Sequence, residues 1–409
     1  MRLTAALLAL ALAGTAACAD DEAAPTGDGD PTSTTTTTEA PPVLPVELGP
    51  DEDLYALAAS WSTPGEPGDP IAVQEVEIPG LEDATVRRVL YHSESVQGDD
   101  VVVSGLIAYP DGPVPPEGRA VLSWAHGTTG LADACAPSVT LPAGELGLAA
   151  PFLERGMVVT ATDYEGMGTP GRHPYMVGES EGRGVLDVVR AARRLGDEVG
   201  ASERVVVWGH SQGGHAALFA NQVAADWAPE LDLVGTVAGA PPSQLPLIAD
   251  ALRDSPFRFY LALVAAGWGE AYPDADPADL LTAEGMARLD VVDRECGRAL
   301  ADDFSDLAYE ELIAAHPGDV EPWAGLLDAN DPGHEPGSSP VLIVHGEADE
   351  QIPVVSSQLL LERMCTTGQV VERRTYPGQD HAGVIGPSMA DVLAWIDARL
   401  AGDAPATSC

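Results

Sequence analysis

From Ile71 onward the apolar residues fall into short runs separated by turns rich in Gly, Pro and Asp. IAVQEVEI alternates apolar and polar side chains with a period of two, which predicts a half-buried strand. TVRRVLYH, VVVSGLIAY and AVLSWAHG predict three more, and MVVTATDYEG predicts a buried strand ending in a polar turn at Asp163. The period then changes: Val185, Val188, Val189 and Ala192 recur at helical spacing between Gly184 and Leu195. VVVWGHS, a helix through Ala216–Ala225, and the strand LVGTVAGA follow. PVLIVHG, a helix near Val354–Met364, VVERRTYP and a last helix near Met389–Leu400 complete the run. Strands alternating with helices predict an α/β protein whose mostly parallel central sheet has helices on both faces.

The alternation stops between residues 241 and 338. This stretch predicts short helices (PFRFYLALVAAGW, ELIAAH, PWAGLLDA) and is too long for a loop. It divides the core into a first part, 46–240, and a second part, 339–409, with an inserted helical layer between them. Tyr260 to Trp268 is apolar nearly all round, so as a helix it is buried on more than one side. Either it forms the small core of that helical layer, or one face lines a channel with Leu261, Leu263, Val264 and the small run Ala265 to Gly267.

The N-terminus changes the picture of where the chain works. Met1-Arg2, the apolar run Leu3 to Ala13 and small residues up to Cys18 predict a signal peptide over 1–18. TAAC resembles a bacterial lipobox, which makes Cys18 a lipidation site and its lipid the one expected membrane contact; Thr15 departs from the pattern, so cleavage without lipidation stays open. Residues 19–45 are acidic and rich in Thr and Pro, and predict a disordered tether. The product is expected to be exported, as a cell-surface lipoprotein or in free form.

The chain has 409 residues and a formal net charge of −44, with 64 acidic residues against 20 basic ones, all arginine. Such a surface repels nucleic acid and anionic membranes. Without lysine, Schiff-base and Ser-Lys chemistry are excluded. Cys135, Cys296, Cys365 and Cys409 make an even number in an exported chain, which favours two disulfides with three possible connectivities. None belongs to a CxxC or Cys/His cluster, so no zinc site is expected.

Gly209-His210-Ser211-Gln212-Gly213 matches the G-x-S-x-G elbow and stands between a predicted strand and a predicted helix. Glycines flank the serine because a β-carbon there would clash in so tight a turn. A serine nucleophile needs a base, and the base needs an orienting acid. In this architecture the chain order is Ser, acid, His. The loop HGEADEQIP offers Asp349, with Glu350 as the alternative, and His381 is the one histidine beyond it. His210 and His215 are expected to serve packing and orientation. The N–H of Gln212 and an N–H of the loop AHGTTG, assigned to Thr128, are the expected oxyanion donors.

These motifs together resemble the secretory lipase family of the α/β-hydrolase fold, lipase A type, found in fungi and actinobacteria. The resemblance rests on SWAHGTTG with CAPS following, DYEGMGTPGRHPYMVGESEGRGVLDVVRAAR, WGHSQGGHAAL, HGEADEQIP and DHAG, in family order from Trp124 to His381. It places the family's G-x-x-D-x-x-[VI]-P on Gly346, Asp349, Ile352 and Pro353. It further implies a cap over 241–338 that holds acyl chains, the disulfides Cys135–Cys296 and Cys365–Cys409, and no metal or organic cofactor. The expected activity is hydrolysis of lipid or other acyl esters by Ser211, His381 and Asp349. An acyltransferase or peptidase built on the same three residues, and a non-catalytic hydrolase-like cell-surface binding protein, are the alternatives.

Overall fold

The computed structural model describes residues 44–141 and 148–409; the expected signal peptide, Cys18 and nearly all of the tether lie outside them. Among the described residues ten strands form one sheet in the order β1-β2-β3-β4-β6-β5-β7-β8-β9-β10. Its N-terminal side holds β1 (Val46–Leu48), β2 (Pro70–Val76), β3 (Ala84–Glu94) and β4 (Asp100–Pro110). The pairs β2–β3, β3–β4 and β4–β6 are antiparallel. From β6 (Val158–Thr162) onward every pair is parallel, through β5 (Arg119–Ala125), β7 (Ala201–His210), β8 (Asp232–Gly239), β9 (Val341–Gly346) and β10 (Val371–Tyr376). This is the mostly parallel α/β sheet that the alternating pattern predicts.

The parallel strands are apolar on both faces because helices cover both. On one face α2 (Gly178–Arg194) and α3 (Gln212–Trp227) pack against each other and the central strands, with Val185, Val188 and Val189 fully buried. On the other face α9 (Ile385–Leu400) sets Val392, Trp395 and Ile396 against Trp208, Val237 and Leu342. β1 and the short helix α1 (Leu54–Ser60) were not apparent in the pattern. α2 begins at Gly178, six residues before the predicted start. Its glycines are contacts: a β-carbon at Gly178 would stand 2.3 Å from Phe219, and one at Gly182 would stand 2.8 Å from the backbone of Ala220.

Between β8 and β9 the chain forms short helices. They include α4 (Leu245–Leu252), α5 (Tyr260–Ala271), α6 (Gly297–Phe304) and α7 (Trp323–Ala329). Here lies a second apolar core, centred on α5, where Trp268 stacks on Trp323 with ring centroids 5.9 Å apart. After β9, α8 (Val354–Thr367) returns the chain to the edge strand β10. Cys135 is bonded to Cys296, and Cys365 to Cys409.

Candidate active site

Ser211 stands between the last residue of β7 and the first of α3, with φ 59° and ψ −126°. A non-glycine residue in that conformation is strained and persists only where its surroundings hold it. Two features hold it here. The Ser211 N–H donates to the Gly239 carbonyl at 2.8 Å, and the Ser211 carbonyl accepts from His215 N–H at 3.1 Å. The flanking glycines permit the close approach: a β-carbon on Gly209 would lie 2.0 Å from the Gly213 carbonyl oxygen, and one on Gly213 would lie 1.9 Å from that of Ala125. At the first position of α3, Gln212 has an N–H with no intrahelical carbonyl to bond.

The loop after β9 supplies the acid. Asp349 Oδ2 accepts from His381 Nδ1 at 2.7 Å, so the ring's other nitrogen, Nε2, is left to act as a base. The same oxygen accepts from His345 Nε2 at 3.1 Å, and Oδ1 accepts the N–H groups of Gln351 and Ile352 at 2.9 and 2.8 Å. Burial alone would raise the pKa of Asp349. The donors from His345, His381 and Ile352, with the His381 charge, outweigh it and hold the carboxyl well below the usual carboxylate range. Glu350, the alternative acid, accepts from the backbone N–H of His381 at 3.2 Å rather than from its ring.

His210 packs its ring 4.7 Å from that of His381. Burial, with His381 beside it, lowers the His210 pKa to about 3, so it presents a neutral ring. His215 lies inside the fold, where Nδ1 faces Glu181 Oε2 at 2.9 Å and Nε2 faces the Asn330 carbonyl at 2.8 Å.

Nothing in the sequence pattern singles out that glutamate. Glu181 is fully buried on α2, and its Oε1 accepts from Met176 N–H at 2.9 Å and from Gln212 Nε2 at 2.8 Å. Gln212 Nε2 also donates to His173 Nε2 at 2.8 Å, and His173 Nδ1 donates to the Glu165 carbonyl at 3.0 Å. Burial lowers the His173 pKa to about 4, consistent with the neutral ring this pattern requires. The residue after Ser211 is thus clamped from behind. The signal is weak: the second of two Glu in ESEGRG, 31 residues from Gln212.

Two cavities meet at Ser211. The outer one is bordered by Gly127, Thr128, His210, Ser211 and His381. Thr128 therefore stands at the same opening as Ser211, with its hydroxyl bonded to Tyr175 at 2.8 Å. A β-carbon on the preceding Gly127 would lie 3.6 Å from Ser211 Cβ, which measures how closely this loop approaches the serine. The loop is fixed to the helical segment: Gly297 N–H donates to the Thr129 carbonyl at 2.8 Å, beside the Cys135–Cys296 bond. The inner cavity is almost wholly apolar and runs under the helices, bordered by Met176, Ile248, Leu252, Leu261, Val264 and Trp268. This revises the expected lining. Leu261 and Val264 face the cavity, whereas Leu263, Ala265 and Ala266 are fully buried in the helical core, and Gly267 abuts the backbone of Tyr175.

A family model described as secretory lipase matches residues 138–408, a span that contains Ser211, Asp349 and His381 and leaves out Thr128. A secreted triacylglycerol lipase of Malassezia globosa is 27% identical over 303 residues, covering 68% of this chain and 65% of that protein. The chain thus matches less than two thirds of the length of that relative. A protein of Mycobacterium tuberculosis described as a probable inactive lipase is 25% identical over 87% of this chain and 83% of its own length. Among solved structures, Candida antarctica lipase A in its closed state superposes with a TM-score of 0.73 at 21% identity, covering 84% of each chain.

Proposed function

The chain belongs to the secretory lipase family, and from that premise we propose that it is an exported serine hydrolase of lipid or other acyl esters. Ser211 Oγ attacks the ester carbonyl carbon while His381 Nε2 takes its proton, and the carbonyl electrons move onto the oxygen. The N–H groups of Gln212 and Thr128 hold that oxyanion. Asp349 fixes the ring with Nδ1 protonated and stabilises the imidazolium. His381 then returns the proton to the departing alkoxide, leaving an acyl-Ser211 ester. Water, deprotonated by the same nitrogen, attacks this ester and releases the acid. The observation that carries the proposal is the 2.7 Å bond from His381 Nδ1 to Asp349 Oδ2, at a cavity that His381 shares with Ser211.

The apolar inner cavity supports an acyl-chain site, with residues 241–338 as the cap that forms most of it. Export through the segment 1–18 and attachment through Cys18 complete the reading. Both the curated relative of Malassezia and the matching family are described as secreted or secretory.

The mycobacterial relative described as inactive favours a second reading, a binding protein that keeps the fold without the chemistry. A panel of esters from acetate to long-chain triglyceride, assayed on wild type and Ser211→Ala, separates the two. Turnover by wild type that is lost in the variant supports the enzyme; no turnover by either supports the binding protein.

A further inference from the structure

Among the described residues, Ser211 and Tyr260 are the two that border both cavities. Tyr260 is the first residue of α5, and its partly buried side chain stands where the inner and outer spaces join. The two spaces differ sharply. The inner one has a free volume of about 70 Å³ and an apolar wall, and the outer one has about 530 Å³ and a mixed wall. An ester whose carbonyl carbon sits on Ser211 must send one half each way. The narrow apolar side suits a slender hydrocarbon chain, and the wide side suits a bulkier alcohol.

The ring at the junction is held in place from the catalytic side. The Tyr260 hydroxyl donates to Gln351 Oε1 at 2.8 Å, and the Gln351 N–H donates to Asp349 Oδ1 at 2.9 Å. On the helix side Phe259 packs beside it, with ring centroids 4.4 Å apart. Two hydrogen bonds thus tie the wall between the cavities to the carboxylate that orients His381. Ile352, the residue after Gln351, borders the inner cavity as well.

Resting on the ester-hydrolase reading, we propose that Tyr260 is a specificity-determining residue: its ring, tied to Gln351, closes the space beside the reacting carbonyl and selects acyl groups unbranched at the α-carbon. The α-carbon is bonded directly to the carbonyl carbon, so a methyl branch on it falls at the junction rather than deep in either cavity. The wall there meets the branch in the ground state and in the tetrahedral intermediate alike. Selection therefore acts on kcat/KM and is independent of how far the chain extends inward.

The test compares p-nitrophenyl hexanoate with p-nitrophenyl 2-methylhexanoate on wild type, Tyr260→Ala, Tyr260→Leu and Gln351→Leu. Wild type is expected to prefer the straight ester. Tyr260→Ala should raise the branched-to-straight ratio of kcat/KM at least tenfold, and Gln351→Leu, which frees the ring without removing it, should raise it by a smaller factor. Tyr260→Leu keeps apolar bulk at the helix start and is read in the same way if the alanine variant does not fold, as judged by near-ultraviolet circular dichroism. A ratio that stays within twofold of wild type while both esters slow together overturns the assignment and leaves the hydrolase reading standing. Absence of turnover of either ester by wild type overturns both.

Discussion

His345 Nε2 and His381 Nδ1 converge on one oxygen, Asp349 Oδ2, at 3.1 and 2.7 Å. His345 also faces the Ile352 carbonyl from the same nitrogen at 3.1 Å, and its Nδ1 has no partner among the described residues, so Nε2 is the nitrogen that donates. A second histidine thus holds the acid in the orientation the first one uses. Replacing His345 by Gln keeps a donor near that nitrogen, whereas Leu removes it. The Leu variant is expected to lose about tenfold or more in kcat with little change in KM, about 1.4 kcal/mol of transition-state stabilisation. The Gln variant should recover much of that loss. Steady-state kinetics across pH 5–9 on both variants checks it, and equal losses in the two would show that only packing matters at this position.

Ser211→Ala and His381→Ala are each expected to abolish ester turnover, and the double variant to be little worse than either single one, because residues acting as one unit are strongly non-additive. Asp349→Ala should cost less, since an unoriented imidazole still acts as a base part of the time. Comparison of kcat/KM across the four variants checks this, and Glu350→Ala should stay the mildest change in the loop.

Depth in the inner cavity should be read by Val264 rather than by Ala266. Val264 borders the cavity, and Ala266 is fully buried among the helices. Val264→Trp is expected to cut turnover of octanoate and longer esters while sparing acetate, because each methylene excluded forfeits about 0.8 kcal/mol. Ala266→Phe should instead overpack the helical core and lower the melting temperature, with losses across all chain lengths. Chain-length profiles and melting curves for the two variants separate the effects.

Two buried histidines should make the fold sensitive to acid. His173 and His210 are held to pKa values of about 4 and about 3, against an unfolded value near 6.5. The unfolded chain therefore binds more protons in that interval, and stability falls as pH drops from about 6.5 toward 4. Asp349 acts lower still. Its depressed pKa gives stability that is complete above the unfolded value near 3.9 and is lost as pH falls below it. Urea melts between pH 7 and 4 should show the decline, and His173→Gln with His210→Asn should flatten it.

The Cys135–Cys296 bond closes a loop of 161 residues and the Cys365–Cys409 bond one of 44. Removing either is expected to cost about 2–5 kcal/mol, with the longer loop costing more in the chain-entropy account. The functional consequences should differ. The first bond adjoins the Thr129–Gly297 contact next to Thr128, whereas the second holds the tail, where Ser408 N–H bonds the Val371 carbonyl at 2.8 Å. Cys135→Ala with Cys296→Ala should therefore lower kcat as well as the melting temperature, and Cys365→Ala with Cys409→Ala mainly the latter.

The parts of the site that the sequence made legible are those where chemistry and chain order coincide. A serine between glycines after a β-branched run, and a single histidine beyond an acidic loop, leave few other readings. Glu181 and His345 were not legible because their partners are set by packing: Glu181 meets His215 only when α2 lies against α3. The start of α2 was hidden for the same reason, since Gly178 and Gly182 read as poor helix formers until Phe219 and Ala220 are seen against them. In α5 every residue near Val264 is apolar, so periodicity could not separate the cavity face from the core face.

Active-site titration shows whether Ser211 is the nucleophile and whether His381 activates it. A p-nitrophenyl alkylphosphonate is added to wild type, His381→Ala and Ser211→Ala, with p-nitrophenol release and intact mass followed together. Wild type should release one equivalent and carry a single phosphonyl adduct on the peptide containing Ser211, with a much slower reaction in His381→Ala and none in Ser211→Ala. An adduct on another residue, or labelling of Ser211→Ala at the wild-type rate, would contradict Ser211 as the nucleophile.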